Sequence, residues 1–577
     1  MTSSNQPSEY GSDGKLRLPG FGLPIDAEPQ CKSYFLHPLS NNPFESDGLK
    51  LREIRMMNYI SLVTDKHEWE DKVFDEKILR TWLDEARRAH ILDLDGDVFF
   101  SEHMYNACVR ELQEKATWHI ISGIVHVLDA ELAVAKSDRI VSPELASSLR
   151  YHAGILESFH AEDWEPGTHN QVLNLLNPSE FPLIYGTTLV LPQDRLTLAN
   201  CLSHIGEGDT SGEFTKVEMR RPAYWGATQW LPSNVEWSGP HPRITSYINN
   251  LHPVRHRDLY GVLEAFVEAT IPMWEDCLFR GQERRAPRIA ACPSGNGDFI
   301  LPDDAEPEYY YHDQIGRYLD PEWWAMNRIL RWPEPNHESQ QSRLRPRELK
   351  PNLRQDFPGG LQVSFKLFNI RLTPQSPIYQ GGTWQIGGAL NDRIVATSLY
   401  YYDMDNVEEN ILSFGHVFDT NSLALQPSLA NVIHPDGLAV PAEEDYESTE
   451  RWYDMDAGSR MQAIGNVVMR EGRLLAVPNV FPYISRPFRL QDRTKPGHVK
   501  VLAMYLVDPH IRVLSTGCVL TNPPFSHLPP ELFDMTVRFV NGDFPLSREQ
   551  GLAARNQSAW QQAHVYNNWV TIVGNVC

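Results

Sequence analysis

The residues of this chain that could do chemistry stand mostly in scattered pairs. His160-Ala-Glu162 has the H-x-E spacing of a metal pair. It falls in a stretch that reads as helix, where residues two apart do not share a face, so a common ion is not expected there. His312 and Asp313 follow Tyr309, Tyr310 and Tyr311 and read as a loop or the edge of a core. His256-Arg257-Asp258 matches a fragment of a kinase catalytic loop, but no glycine-rich loop or DFG accompanies it. Asp93 to Asp97 (DLDGD) begins like a calcium loop and lacks the glutamate that would close it. His119 and His126 read as packing residues on one helix. Neither G-x-S-x-G nor a Walker motif occurs.

The cysteines are Cys31, Cys108, Cys201, Cys277, Cys292, Cys518 and Cys577, with no C-x-x-C pair. Zinc and a disulfide framework are therefore not expected, and the usage suits a reducing, cytoplasmic compartment. With 577 residues the chain is too long for one compact core. Its 41% hydrophobic and 10% aromatic residues suit a globular protein with large buried aromatic surfaces. A net charge of -23 repels phosphate backbones and anionic membranes, so nucleic acid is not an expected partner. No apolar run is long enough for a membrane span, and the first residues carry no signal-peptide core.

These residues must be positioned by two textures of sequence. Residues 1–30 are rich in Ser, Gly and Pro and are expected to form a disordered tail. Residues 31–349 read as a mostly helical part, with helices expected over 67–92, over 102–132 with Ser101 as N-cap, and over 256–279. Pro- and charge-rich linkers fill about 280–350. From Leu361 short alternating strands take over ("LQVSFKLFNIRL", "RIVATSLYYYD", "HVKVLAMYLVD"), and residues 350–525 read as an all-β sandwich or barrel. Residues 526–577 read as a helical extension that packs back.

Within that β part, "SPIYQGGTWQIGGALNDRIVATSLYYYDMDNV" resembles a large fungal family of uncharacterised domains related to the 2-oxoglutarate/iron(II) oxygenases. "LPGFGLP", "TSYINNLHPVRHRDLYGVLEAFVEATIPMWEDCL", "GRLLAVPN" and "TKPGHVKVLAMYLVDP" carry the likeness over nearly the whole chain. The resemblance implies an α+β fold. A double-stranded β-helix (a jelly-roll or cupin-like barrel) would be wrapped by the helical N-terminal part and a C-terminal helix.

Such barrels hold iron(II) by two histidines and a carboxylate. The first two ligands form an H-x-E pair on a strand, where residues two apart point the same way. By resemblance the pair belongs in "GG-x-W-H-x-E-G", which here reads Gly381 to Gly388, with Gln385 for the histidine and Gly387 for the carboxylate. The second histidine should follow Asn479 by a few residues, where Tyr483 stands, and the arginine that pairs with 2-oxoglutarate is replaced by Val499. His498 survives next to it but should face the other side of its strand. Amide and phenol are weak iron(II) ligands, glycine has no side chain, and valine cannot pair with a carboxylate. The expectation is a barrel with neither metal nor cofactor.

A metal-free cavity lined by aromatics could fold an apolar polyene into a reactive conformer and polarise its carbonyl. The residues therefore favour a cofactor-independent cyclase (pericyclase, intramolecular Diels–Alder type) acting on a fungal terpenoid or polyketide, for example the norbornene-forming closure of a sordarin-type diterpenoid. Gln385 and Tyr483 are the expected catalytic groups. Trp384, Gly387, Tyr401, Phe481, Phe488 and Val499 are expected to line the hydrophobic small-molecule site. A non-catalytic pseudo-oxygenase scaffold and an atypical 2-oxoglutarate/iron(II) oxygenase remain as alternatives.

Overall fold

The computed structural model describes residues 9–28, 35–39, 48–91, 100–130, 132–159, 163–193, 196–204, 207–213, 224–278, 287–289, 350–417, 461–519 and 553–557, with short pieces at 299–300, 309–312, 316–319, 329–330 and 334–335. His160, Glu162, Asp313, Asp93 to Asp97 and most of the expected C-terminal extension lie outside them.

The N-terminal half supplies five long helices: α1 (Leu51–Val63), α2 (Glu76–Arg88), α3 (Glu102–Ser122), α4 (Pro143–Phe159) and α5 (Arg257–Cys277). The expected 67–92 helix is broken. A single turn, Trp69–Lys72, ends, and Asp75 caps α2 by accepting from the amides of Lys77 and Ile78. Ser101 caps α3 as expected, its hydroxyl 3.2 Å from the Met104 amide. That helix stops ten residues earlier than its pattern suggested. Gly123 turns left-handed at φ 71° and its amide closes on the His119 carbonyl, 2.8 Å. His126 therefore lies on a strand and not on the helix of His119. Residues 9–28 are not a loose tail: Leu16, Leu18 and Ile25 are buried.

The strands that position the site are β1 (Val125–Val127), β2 (Val134–Ser137), β3 (Val172–Leu176), β4 (Ser233–Ser238), β5 (His241–Ile244), β6 (Leu361–Leu372), β7 (Ile394–Asp405), β8 (Asn410–Val417), β9 (Met461–Met469), β10 (Leu474–Pro478), β11 (Tyr483–Ser485) and β12 (Gly497–Val507). A ten-stranded sheet runs β5-β4-β6-β12-β7-β10-β2-β1, with β3 also paired to β6 and the two-residue strand Asp163–Trp164 paired to β3. A three-stranded sheet runs β9-β8-β11. All these pairings are antiparallel. The part expected to be mostly helical thus lends β1 to β5 to the large sheet. Short apolar runs such as "VLNLL" cannot be told from helix by periodicity alone.

Alternation along β12 divides the core. Leu502, Met504 and Leu506 pack with Leu149, Ala153 and Leu156 of α4 and with Leu263, Phe266 and Trp274 of α5. Val499, Val501, Ala503, Tyr505 and Val507 face the other way, into a cluster with Leu412 and Phe414 of β8 and Ile464 and Val467 of β9. The layers are helices, large sheet, small sheet. Each fully buried Leu, Val or Phe contributes roughly 1.5–3 kcal/mol.

A buried ionic knot ties α1 and α3 to a distant residue. Arg288 grips Glu111 with two bonds, at 2.9 and 2.7 Å, and reaches the Asp129 carbonyl at 3.0 Å and the Asp129 carboxylate. Its backbone amide donates to Glu53, 2.8 Å, while Lys115 holds Asp129 at 2.9 Å. Burying such charges is tolerable only while they stay matched. Arg288→Met should lower the unfolding free energy by about 3–5 kcal/mol, read from urea midpoints; an unchanged midpoint would show the knot to be dispensable.

Candidate functional site

The segment Gly381 to Gly388 is a largely irregular edge. It touches the small sheet at one bridge, where Gln385 and Tyr483 exchange both backbone hydrogen bonds at 3.0 Å. Tyr483 in turn opposes Phe414 on β8. The two residues expected to carry catalysis are therefore direct backbone neighbours. Their side chains fare differently. Gln385 is exposed, whereas Tyr483 is only 6% exposed and its ring sits 6.2 Å from Phe414. The Gln385 amide thus meets water while the Tyr483 ring is buried, so the two side chains do not share one environment.

Of the expected lining residues, Tyr401, Phe481, Phe488 and Val499 join Tyr483 in the cluster between the sheets. Trp384 does not. It packs, half-buried, with Ile386, Leu390 and Val417 in a separate cluster built on Leu16, Leu18 and Leu39 of the N-terminal segment. Val499 is fully buried, and its neighbour His498 faces outward as expected, 3.1 Å from the Asp403 carboxylate.

Gly387 is buried beneath Asn479. Its amide donates to Asn479 Oδ1 at 2.7 Å, and Asn479 Nδ2 donates to the carbonyls of Gly387 at 3.0 Å and Ile394 at 2.8 Å. A Cβ at Gly387 would stand 3.0 Å from Asn479 Oδ1 and from Ile394, and 3.1 Å from the Thr397 hydroxyl, so a side chain here forces its neighbours to give way. Behind this clamp lies Asp392, which accepts from the amides of Ala389 at 2.6 Å and Trp230 at 2.7 Å. Burial pushes the Asp392 carboxyl up to about 6, although both amides favour its charged form.

Three groups at this centre escaped the sequence reading. The Tyr505 side chain comes close enough to Tyr483 for each to influence the other's hydroxyl, and it stacks edge-on against Trp230, centroids 5.0 Å apart. Its signal was available, because 499, 501, 503 and 505 share a face of one strand. His416, buried on β8, shares the Gln462 side chain at 2.7 Å. Asn479 was seen only as a motif marker. Burial pushes the hydroxyls of Tyr401, Tyr483 and Tyr505 upward, so all three are neutral donors at ordinary pH. Among the described residues no group of three or more His, Cys, Asp or Glu side chains could hold a metal ion.

Two outcomes follow. Asn479→Ala strands three buried backbone groups and should cost about 2–4 kcal/mol, with faster amide exchange at Gly387 than in the wild type; unchanged exchange there would show that the clamp does not hold the loop. His416 is neutral in the fold, burial having lowered it from 6.5 to about 4. The unfolded chain takes the proton first, so this contribution is whole above pH 6.5 and drains away between 6.5 and 4. Asp392 tilts the other way, gaining as pH falls below about 6. Over the histidine's window, His416→Leu should flatten the fall in unfolding free energy by about 1.4 kcal/mol per pH unit, measured by urea titration at several pH values.

Residues 102–523 match the family described as "Protein of unknown function (DUF4246)", and residues 18–85 match "Domain of unknown function DUF4246, N-terminal". No curated protein matches the sequence. Among solved structures, the selenomethionine-labelled "Fe(II)/(alpha)ketoglutarate-dependent dioxygenase TqaL" is similar at 10% identity, covering 64% of this chain and 91% of that one, with a TM-score of 0.20.

Proposed function

The chain belongs to the DUF4246 family, and from that premise we propose that its facing sheets are the double-stranded β-helix of an oxygenase barrel turned to metal-independent ring closure. The fold reading rests on strand order. Counting β6, the Gln385 segment, β7, β8, β9, β10, β11 and β12 as strands one to eight, the large sheet holds 1-8-3-6 and the small sheet holds 2-7-4-5. The chain crosses repeatedly between sheets, the way of a jelly roll.

The residues at the ligand positions do not suit iron(II). Gln385 offers a hydrated amide, Gly387 offers nothing, and the Tyr483 phenol is buried and neutral. The position expected to pair with the co-substrate holds a buried valine. His498 belongs to the opposite face, with Asp403.

One observation carries the reading: the Tyr483–Tyr505 hydroxyl pair inside an apolar interior. In this reading one hydroxyl donates to the other, which leaves one hydrogen to offer a third group. Aimed at a carbonyl conjugated to an alkene, that hydrogen withdraws electron density and lowers the barrier to attack by a diene. The closure makes two carbon–carbon σ bonds from two π bonds, with no net redox and no leaving group. The substrate class is an apolar terpenoid or polyketide carrying a diene and an enone, held folded by Tyr401, Phe481 and Phe488. A second reading, binding without turnover, is favoured by the close packing around Val499.

The test is incubation of the chelator-treated protein with a linear triene bearing an enone. Cyclised product should form at the same rate with and without EDTA. Tyr483→Phe and Tyr505→Phe should each slow it by roughly 10–100-fold, while Gln385→Ala should hardly matter. No acceleration over the protein-free reaction overturns the cyclase reading. Tight stoichiometric iron with succinate release would restore the oxygenase.

A further inference from the structure

Away from the sheets, a cleft of about 180 Å³ opens between the turn after α1, the end of α3 and strand β2. Its lining includes Asp65, His119, Lys136, Asp138, Arg139 and Arg470. Three cations converge on one carboxylate there. Lys136 Nζ lies 2.7 Å from Asp65 Oδ1, Arg473 Nη1 lies 2.8 Å from the same oxygen, and Arg470 Nη2 lies 3.5 Å from it. Asp138 engages Arg473 with both oxygens, at 2.7 and 2.6 Å, and Glu70 is taken by Arg139. The lining sets four carboxylates, Asp65, Glu68, Glu70 and Asp138, against four cations, Lys66, Lys136, Arg139 and Arg470, and Arg473, paired with Asp65 and Asp138, adds a fifth cation to this patch of a chain whose net charge is -23.

The surplus comes with uncommitted donors. Lys136 is 2% exposed in its side chain and its ammonium meets Asp65 alone, while Arg470 spends only Nη2. His119 lines the cleft, is 6% exposed, and its Nδ1 has no partner among the described residues. A buried polar nitrogen and an under-neutralised lysine are costly unless a ligand answers them. Burial lowers the Lys136 ammonium to about 8, with Asp65 opposing the shift and Arg473 reinforcing it. The volume corresponds to about six water molecules, which admits a phosphate group and excludes a large ligand.

We infer that this cleft is a binding site for a phosphate-sized oxyanion, either free phosphate or the head of a small phosphate monoester, held by Arg470 and Lys136 beside His119. Arginine and lysine side chains with free N–H groups suit a tetrahedral oxyanion. Filling the cleft neutralises the surplus charge and relieves the depressed lysine. The site is independent of the barrel and of any chemistry there.

Calorimetric titration of the full chain tests it, with sodium phosphate and glycerol 3-phosphate in separate arms at constant ionic strength. Saturable millimolar binding is expected, weakened about tenfold or more in Arg470→Gln, one lost charge-assisted contact. Arg470 is 45% exposed, so that variant should fold, and an unchanged urea midpoint checks it. Arg489→Gln removes a surface arginine paired with Glu408 and should bind like the wild type. Tighter binding of the monoester assigns an organic phosphate; equal or weaker binding assigns free phosphate. Absence of saturable heat in both arms, or equal affinity in Arg470→Gln and wild type, overturns the site.

Discussion

Everything in this molecule hangs on a strand that must be apolar on both faces. β12 lies between β6 and β7, so its backbone is satisfied on both edges and its side chains meet helices on one side and the small sheet on the other. Half-buried strands can alternate apolar with polar, and this one cannot. A polar residue facing either layer from its middle would lack a partner. Tyr505, the one polar side chain in the inward row, lies against Trp230 and beside Tyr483.

The clamp at Asn479 is the complementary device. A sheet edge as irregular as Gly381 to Gly388 has few ladder bonds of its own. Asn479 replaces them with side-chain bonds to Gly387 and Ile394, tying the edge to the start of β7 and the end of β10. A glycine under the clamp lets the amide approach closely. The centre is therefore organised by backbone and amide geometry and not by charge.

Much of this was legible in the sequence, for identifiable reasons. Period-two alternation located β6, β7 and β12 within one or two residues, because long buried strands carry an unambiguous pattern. Ser101 announced α3 by its hydroxyl. The stop at Gly123 was overrun because the apolar run continues beyond it as a strand. That Gln385 and Gly387 are neither histidine nor carboxylate is legible, since it concerns identity. Where those side chains point could not, because Gln385 sits at an edge whose exposure depends on a segment hundreds of residues away. The Tyr483–Tyr505 contact joins separate strands, and only the folded register brings them together. The N-terminal segment looked disordered by composition, yet Leu16 and Leu18 find partners on Leu390 and Val417.

The ionic knot around Arg288 sets an order of events in time. Glu111 and Asp129 lie on elements near the N-terminus, but the cation that matches them is 159 residues beyond Asp129. At ribosomal speeds of about 5–20 residues per second, roughly 8–30 s separate the emergence of the acids from that of their arginine. During that interval the first helices carry surplus negative charge in what will become their interior.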